Sequence, residues 1–266
     1  SSADVNQEQR NENCKIRVTS VQNSSVTADS NTFTLKPKIE VTTPASSWIA
    51  ESTSNTIEWS AIENPTSTID IILIDGDAGF ADLTLTPGAG ISKAGGSYVS
   101  TVQIPSVLTS NAKIRIQDHD APSLVYGESE AFKIIGNITV DKPDSSITDW
   151  KVGDTSRLIE WTVKGQVGDV KIYADYDGNE VIDGEDEVLT TIAASPGYNS
   201  WTWEDPGDLP DPPNEGIGDH VGNSVKIKIT DADAESDTYD FSEPFSVIGG
   251  FTFQSPLDAS GYVHHI

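Results

Sequence analysis

Two stretches of about 100 residues carry the same order of apolar, aromatic and turn residues, so the fold must be one that a single stretch can form and then form again. Ile39-Glu40-Val41-Thr42-Thr43-Pro44 opens the first copy and Ile138-Thr139-Val140-Asp141-Lys142-Pro143 the second. Trp48 and then Thr56-Ile57-Glu58-Trp59 follow in one, Trp150 and then Leu158-Ile159-Glu160-Trp161 in the other, eleven residues from Trp to Trp in both. Next come an apolar run and a pair of aspartates, Asp75 with Asp77 against Asp175 with Asp177, and then Gly96 with Pro105 against Gly197 with Pro206. The ends match best. Ile114-Arg115-Ile116-Gln117-Asp118-His119-Asp120 corresponds to Ile227-Lys228-Ile229-Thr230-Asp231-Ala232-Asp233. From there Tyr126, Ser129, Glu130 and Phe132 align without a gap on Tyr239, Ser242, Glu243 and Phe245.

The flanks read as parts of the same array. Ile16-Arg17-Val18 with Phe33 and Leu35 resembles the last two strands of a preceding copy. Phe251-Thr252-Phe253-Gln254-Ser255-Pro256, with Tyr262 at the tryptophan position, resembles the opening of a following one. The expected division is therefore a broken repeat over 1–37, complete repeats over 38–136 and 137–249, and the start of another over 250–266. A chain that opens Ser1-Ser2-Ala3-Asp4 and has no methionine reads as a processed or excised piece.

The repeats read as all-β. Ile69-Asp70-Ile71-Ile72-Leu73 and Val225-Lys226-Ile227-Lys228-Ile229 alternate with period two between Gly, Pro and Asp clusters, and no long helical run interrupts them. About seven strands in roughly 100 residues is the size and spacing of an immunoglobulin-like sandwich. Trp59 and Trp161 alternate with Ile57 and Ile159 and are expected to fill the space between two sheets. Trp201 and Trp203 lie two apart, on one strand face, where core packing and a sugar-stacking platform are rival uses. Cys14 is the single cysteine, which excludes an internal disulfide framework and a cysteine zinc site.

Read together, Ile-x-Val-x-x-Pro, Trp, Ile-x-Trp, Gly-x-x-x-Trp-x-x-x-x-Pro, Ile-x-Ile-x-Asp and Ser-x-x-Phe-x-Ile resemble the immunoglobulin-like module of Ser/Thr-rich cell-wall glycoproteins. That module also occurs in tandem in bacterial secreted and surface-layer proteins. The resemblance covers 39–135 and 137–248 and implies a fold of tandem sandwiches; it implies no catalytic residues. The first copy departs from the pattern, lacking the tryptophan at Val99 to Val102 and placing Ser46 and Ser47 before Trp48.

One loop carries chemistry. Asp175-Tyr176-Asp177-Gly178-Asn179-Glu180-Val181-Ile182-Asp183-Gly184-Glu185-Asp186 puts oxygen donors at positions one, three, five, nine and twelve, with the Val181 carbonyl at seven. Such spacing lets a short segment wrap a hard divalent cation, as in EF-hand-type calcium loops. The expected ligands are Asp175, Asp177, Asn179, Val181, Asp183 and Asp186. Glu180 stands where a turn glycine is usual, Asp186 stands where a bidentate Glu is usual, and the flanks read as strands, so a calcium loop within a β-hairpin is expected. Asp75 with Asp77, Asp118 with Asp120, and Asp231 with Asp233 are weaker metal candidates, for which turn chemistry is the simpler reading. His119, His220, His264 and His265 have no zinc-protease spacing, and neither a nucleophile elbow nor a phosphate loop is present. Asn23-Ser24-Ser25 and Asn137-Ile138-Thr139 are glycosylation sequons.

The charge narrows the partners. Against 42 Asp+Glu the chain sets 16 Lys+Arg, a formal charge of −26. That repels phosphate backbones and anionic bilayers and excludes nucleic acid and membrane insertion as expectations. The long Pro-rich insertion over 207–222 reads as a contact loop toward a neighbouring domain or protomer. The expected function is non-catalytic: an extracellular, cell-surface structural protein of a surface layer (S-layer), built from calcium-stiffened Ig-like repeats that self-associate into a lattice. Its further partners are neighbouring domains and cell-wall glycan. The alternatives are an adhesin or carbohydrate-binding region, or the accessory stalk of a secreted hydrolase.

Overall fold

The computed structural model describes residues 11–62, 68–92, 96–151, 156–184, 186–203 and 221–249. The 250–266 flank, His220, His264 and His265, and all of the 207–222 insertion before Val221 lie outside the described residues. Among the described residues the chain is all-β, and no helix is long and apolar enough to cross a membrane. Internal contacts divide it into two units, Ser1–Gly136 with Lys164–Gln166, and Asn137–Val163 with Val167–Ile266.

The first unit opens with a long hairpin of four short strands. β1 (Asn11–Cys14) pairs with β4 (Phe33–Leu35), and β2 (Arg17–Thr19) with β3 (Thr27–Asp29). Ten strands follow: β5 (Lys38–Val41), β6 (Trp48–Ile49), β7 (Asn55–Ile62), β8 (Thr68–Asp75), β9 (Leu83–Thr84), β10 (Ile91–Ser92), β11 (Ser97–Ser100), β12 (Thr109–Asp118), β13 (Tyr126–Glu128) and β14 (Phe132–Ile135). They form a three-stranded sheet in the order β11-β7-β5 and a larger one in the order β10-β8-β12-β14-β6, with β9 and β13 paired alongside. Alternation decides which face each strand buries: Ile69, Ile71 and Leu73 of β8, and Ala112, Ile114 and Ile116 of β12, turn inward. They meet Ile57 and Trp59 from the smaller sheet in one apolar cluster. Each fully buried isoleucine or leucine contributes about 1.5–3 kcal/mol.

The second unit repeats the plan with nine strands: β15 (Asn137–Lys142), β16 (Asp149–Lys151), β17 (Arg157–Lys164), β18 (Asp169–Asp175), β19 (Glu187–Ala193), β20 (Gly197–Trp203), β21 (Gly222–Asp231), β22 (Tyr239–Phe241) and β23 (Phe245–Ile248). Its sheets run β15-β17-β20 and β16-β23-β21-β18-β19, with β22 beside β21. Strand for strand this is the first unit's order, except that β19 takes the place of the two-residue strands β9 and β10 beside the central pair. Even the parallel pairing recurs, Trp48 against Ile134 and Trp150 against Val247. The same backbone exceptions also recur: cis peptides before Pro44 and Pro143, and positive φ at Ser54 and Ser156 and at Gly96 and Gly197. Strands outnumber the seven read per repeat because two-residue ladders such as β6, β9 and β10 have no periodicity to read.

Trp161 is wholly buried and Trp59 nearly so. Trp203 is 3% exposed and packs edge-on to Trp150 with ring centroids 5.9 Å apart. Trp201 is partly buried and is registered opposite Ile159, itself buried. The pair Trp201 and Trp203 is thus spent on packing, not presented as an open platform.

Candidate metal centre

The acidic loop joins β18 to β19, which pair antiparallel from Asp169↔Ala193 to Ala174↔Glu187. The hairpin ends where Asp175, the last residue of β18, turns its carboxylate into the loop. Asp175 is fully buried, Asp186 partly buried and Asp177 exposed, and each brings a carboxylate oxygen within 4.8 Å of the other two.

Backbone amides hold the carboxylates in place. Gly178 N–H donates to Asp175 Oδ1 (2.7 Å) and Glu180 N–H to Asp175 Oδ2 (2.9 Å). Tyr176 N–H donates to Asp186 Oδ1 (3.0 Å) and Asp183 N–H to Asp186 Oδ2 (2.9 Å). Asp177 Oδ1 accepts from Asn179 N–H (3.0 Å). One amide per oxygen fixes the carboxylate plane and leaves further acceptor capacity on the same atom. Burial raises the Asp175 carboxyl above its ordinary value, against the Glu180 and Gly178 amides, and the neighbouring Asp177 and Asp186 add to the rise.

The loop also shows how the chain manages without a glycine at position six. Glu180 adopts φ +66°, the left-handed conformation the turn requires, and its carboxylate pairs with Lys226 Nζ of β21. Gly178 has φ +70°, and a Cβ there would lie 2.0 Å from the Ser224 carbonyl oxygen. The loop is therefore laid tightly on the start of β21.

The other expected ligands are placed differently. Asn179 uses its side chain within the loop, accepting from Val181 N–H (2.6 Å) and donating to Asp177 Oδ2 (2.7 Å). Val181 is exposed, and Asp183 is exposed and does not join the three-carboxylate group. The equivalent loop of the first unit is closed by side-chain donors of β12 as well as by backbone amides. Asp75 accepts from Asp77 N–H (3.0 Å), Gly79 N–H (2.7 Å) and the Thr109 hydroxyl (2.8 Å), while Asn111 Nδ2 donates to Asp77 Oδ1 (3.3 Å). Burial pushes Asp75 upward, but these bonds together outweigh it and hold its carboxyl below the ordinary value. Asp118 and Asp231 cap turns, accepting from Asp120 N–H (3.0 Å) and Ala121 N–H (3.0 Å) and from Asp233 N–H (2.9 Å) respectively. Among the described residues no three-carboxylate group forms at Asp75, Asp118 or Asp231.

Asn23 is exposed at the tip of the β2–β3 hairpin, its Oδ1 accepting from Ser25 N–H (3.0 Å), and Asn137 is partly buried at the start of β15. The residues that sequence reasoning passed over are Tyr176 and Lys226. Tyr176, half-enclosed beneath the loop, donates its hydroxyl to Glu187 Oε2 (3.2 Å), and Lys226 neutralises Glu180. Their signal in the sequence is slight: an aromatic inside an acidic loop and a lysine in an apolar strand. No family model matches the chain, and no curated protein matches it significantly.

Proposed function

We propose that the chain is a non-catalytic structural part of a cell-surface layer, made of tandem immunoglobulin-like sandwiches, with calcium ordering the 175–186 loop. The observation that carries this reading is the contrast between equivalent loops on a repeated scaffold. Asp75 and Asp77 meet the Thr109 hydroxyl and the Asn111 side-chain amide of β12, whereas Asp175, Asp177 and Asp186, oriented by amides of their own loop, bring three carboxylates together. A hard divalent cation is the partner that such a cluster fits, because it takes six to eight oxygens, and carboxylates oriented by amides supply them with little rearrangement. Asp175, Asp177 and Asp186 would hold the ion, with water to complete the shell.

The rest supports a scaffold. Repeated all-β units with shared backbone exceptions need no chemistry of their own to be useful as spacers, and the sequence carries no nucleophile elbow, phosphate loop or zinc-protease spacing. Burial of Trp203 against Trp150 weighs against the carbohydrate-binding alternative. A surplus of carboxylate suits an extracellular array in which cations bridge or screen like charges.

Calorimetric titration tests the loop. Calcium is expected to give saturable heat in the range up to millimolar typical of extracellular modules. Asp177→Ala, at an exposed position, is expected to abolish that heat while leaving the fold intact. Saturable heat of the same size in Asp177→Ala, or none in the native chain, overturns the calcium assignment.

A further inference from the structure

A strand at the edge of a sheet leaves every second amide and carbonyl without a partner, and folded chains blunt such edges with shortness, charge or a cap. Most edges of the two units are blunted in this way. In the first unit the edge beside β8 is divided between β9 and β10, two residues each. On the smaller sheets β5 carries Lys38 and Glu40, and β11 is four residues long. In the second unit Asp240 Oδ2 accepts from the Val140 N–H of β15 (2.8 Å). At the start of β20 the Asn199 side chain donates to the Ser195 and Gly197 carbonyls (2.7 and 2.9 Å).

β19 has no such guard. It ends the order β16-β23-β21-β18-β19 and, among the described residues, pairs with β18 alone. It runs seven residues, and from Val188 to Ala193 it holds neither charge nor proline, in a chain whose formal charge is −26. A bulge at Leu189 bends its first part, and the ladder is regular from Thr190 to Ala193. Bonds at that end fix which groups face outward. Ala194 N–H donates to the Gly168 carbonyl (3.0 Å) and Ala232 N–H to the Asp169 carbonyl (2.9 Å), so Asp169 faces the β21 side and turns away from Ala193 opposite it. Bonded and unbonded pairs alternate along an antiparallel ladder. Ile192 and Thr190 therefore bond to β18, while Ala193 and Thr191 send N–H and C=O to the open side.

An uncharged extended strand fits this edge, and a second copy of β19 is one. Charge fixes its direction. Asp186 and Glu187 stand at the first end of β19, and Ala193-Ala194-Ser195-Pro196 at the other. A parallel second copy sets Glu187 beside Glu187 and the two acidic loops side by side, which like charges oppose. An antiparallel copy sets each Glu187 against the uncharged end of its partner and keeps the two loops at opposite ends of the joint. Alternation then carries across: the outward groups of Thr191 and Ala193 meet those of the same two residues in the second copy, and side chains of one face stay on one face.

We propose that two copies of this chain pair antiparallel along β19, joining the larger sheets of their second units into one continuous sheet across a two-fold axis. The contact is isologous and closes at a dimer, with main-chain bonds at Thr191 and Ala193 supplying the affinity. The proposal rests on the strand order and charge of the second unit, and neither on calcium nor on the surface-layer reading, and it is tested in the presence of chelator.

Sedimentation equilibrium of the full chain, with hydrogen exchange read at the Thr191 and Ala193 amides, decides it. The native chain is expected to pass from monomer to dimer as its concentration rises, and both amides are expected to exchange about tenfold more slowly, or slower still, in the dimer. Thr191→Pro removes an outward N–H and leaves the bonds to β18 in place, since an open edge tolerates proline, and it is expected to lose association. Thr191→Val keeps the amide and the strand propensity and is expected to associate like the native chain. A native chain that stays monomeric overturns the proposal. So does a folded Thr191→Pro chain that dimerises as the native chain does, or a Thr191→Val chain that does not. Association without slowed exchange at the two amides overturns it as well, even where Thr191→Pro fails to fold.

Discussion

At the scale of single residues, the equivalent loops of the two units part at Glu180, whose positive φ has no counterpart at Phe80. Glu180 accepts φ +66° at a loop position that glycine would fill without strain. A left-handed L-residue costs about 1–2 kcal/mol, and a β-branched side chain tolerates it least. Glu180→Val is therefore expected to lower stability by about 1–2 kcal/mol. Glu180→Gly is expected to be near neutral, since backbone relief offsets the lost pair with Lys226 and the greater freedom of the unfolded chain; chemical denaturation of both variants checks this. His119 offers a pH test. Its Nδ1 lies 3.0 Å from Asp70 Oδ1, and that hydrogen bond, reinforced by the Asp70 charge, raises its pKa above the ordinary 6.5. A raised histidine contributes stability that is fully present below the unfolded pKa and is lost as pH rises through the folded one. NMR titration is expected to place His119 above 6.5 in the native chain and to bring it back toward that value in Asp70→Asn; an unchanged midpoint in the variant contradicts the pairing.

At the scale of elements, a serine that ties neighbouring strands gives one substitution three settings: the hydroxyls of Ser30, Ser129 and Ser242 accept from the Ile16, Ile114 and Ile227 N–H groups (3.0, 3.0 and 2.9 Å). Ser129→Ala and Ser242→Ala strip an acceptor from the buried amides of Ile114 and Ile227, which costs about 1–3 kcal/mol each. Ser30→Ala faces water in the exposed hairpin, where solvent replaces the hydroxyl, and its cost is expected to be at most a few tenths of that. Thermal unfolding of the three variants reads the order directly, and equal losses contradict the assignment of burial. The long elements were legible in the sequence because alternation is a physical consequence of one buried face: Ile69, Ile71 and Leu73 declare β8, and Val225, Ile227 and Ile229 declare β21. The ladders at Trp48–Ile49, Leu83–Thr84 and Ile91–Ser92 were not, because a two-residue strand exists only through the neighbour it pairs with. The acidic cluster was legible in its Asp175, Asp177 and Asp186 spacing. That Asp183 stays out and Asn179 turns inward to its own loop was not, since chain spacing fixes position but not the direction in which a side chain points. The serine tie was visible as Ser-Glu in both repeats, but its meaning lies in a long-range bond to the strand opposite.

At the scale of the whole molecule, charge and repetition meet. A chain at −26 resists close approach of its own copies unless cations or paired strands offset the repulsion. The carboxylates of the 175–186 loop are grouped as such a cation would need. That loop belongs to a scaffold whose two units share one strand order and one parallel pairing. The proposed role is that of a structural, calcium-ordered component of a surface array. Electron microscopy of the protein in calcium and in chelator tests it most directly. Ordered sheets are expected in calcium and are expected to disperse when the ion is removed; separate particles under both conditions would contradict that role.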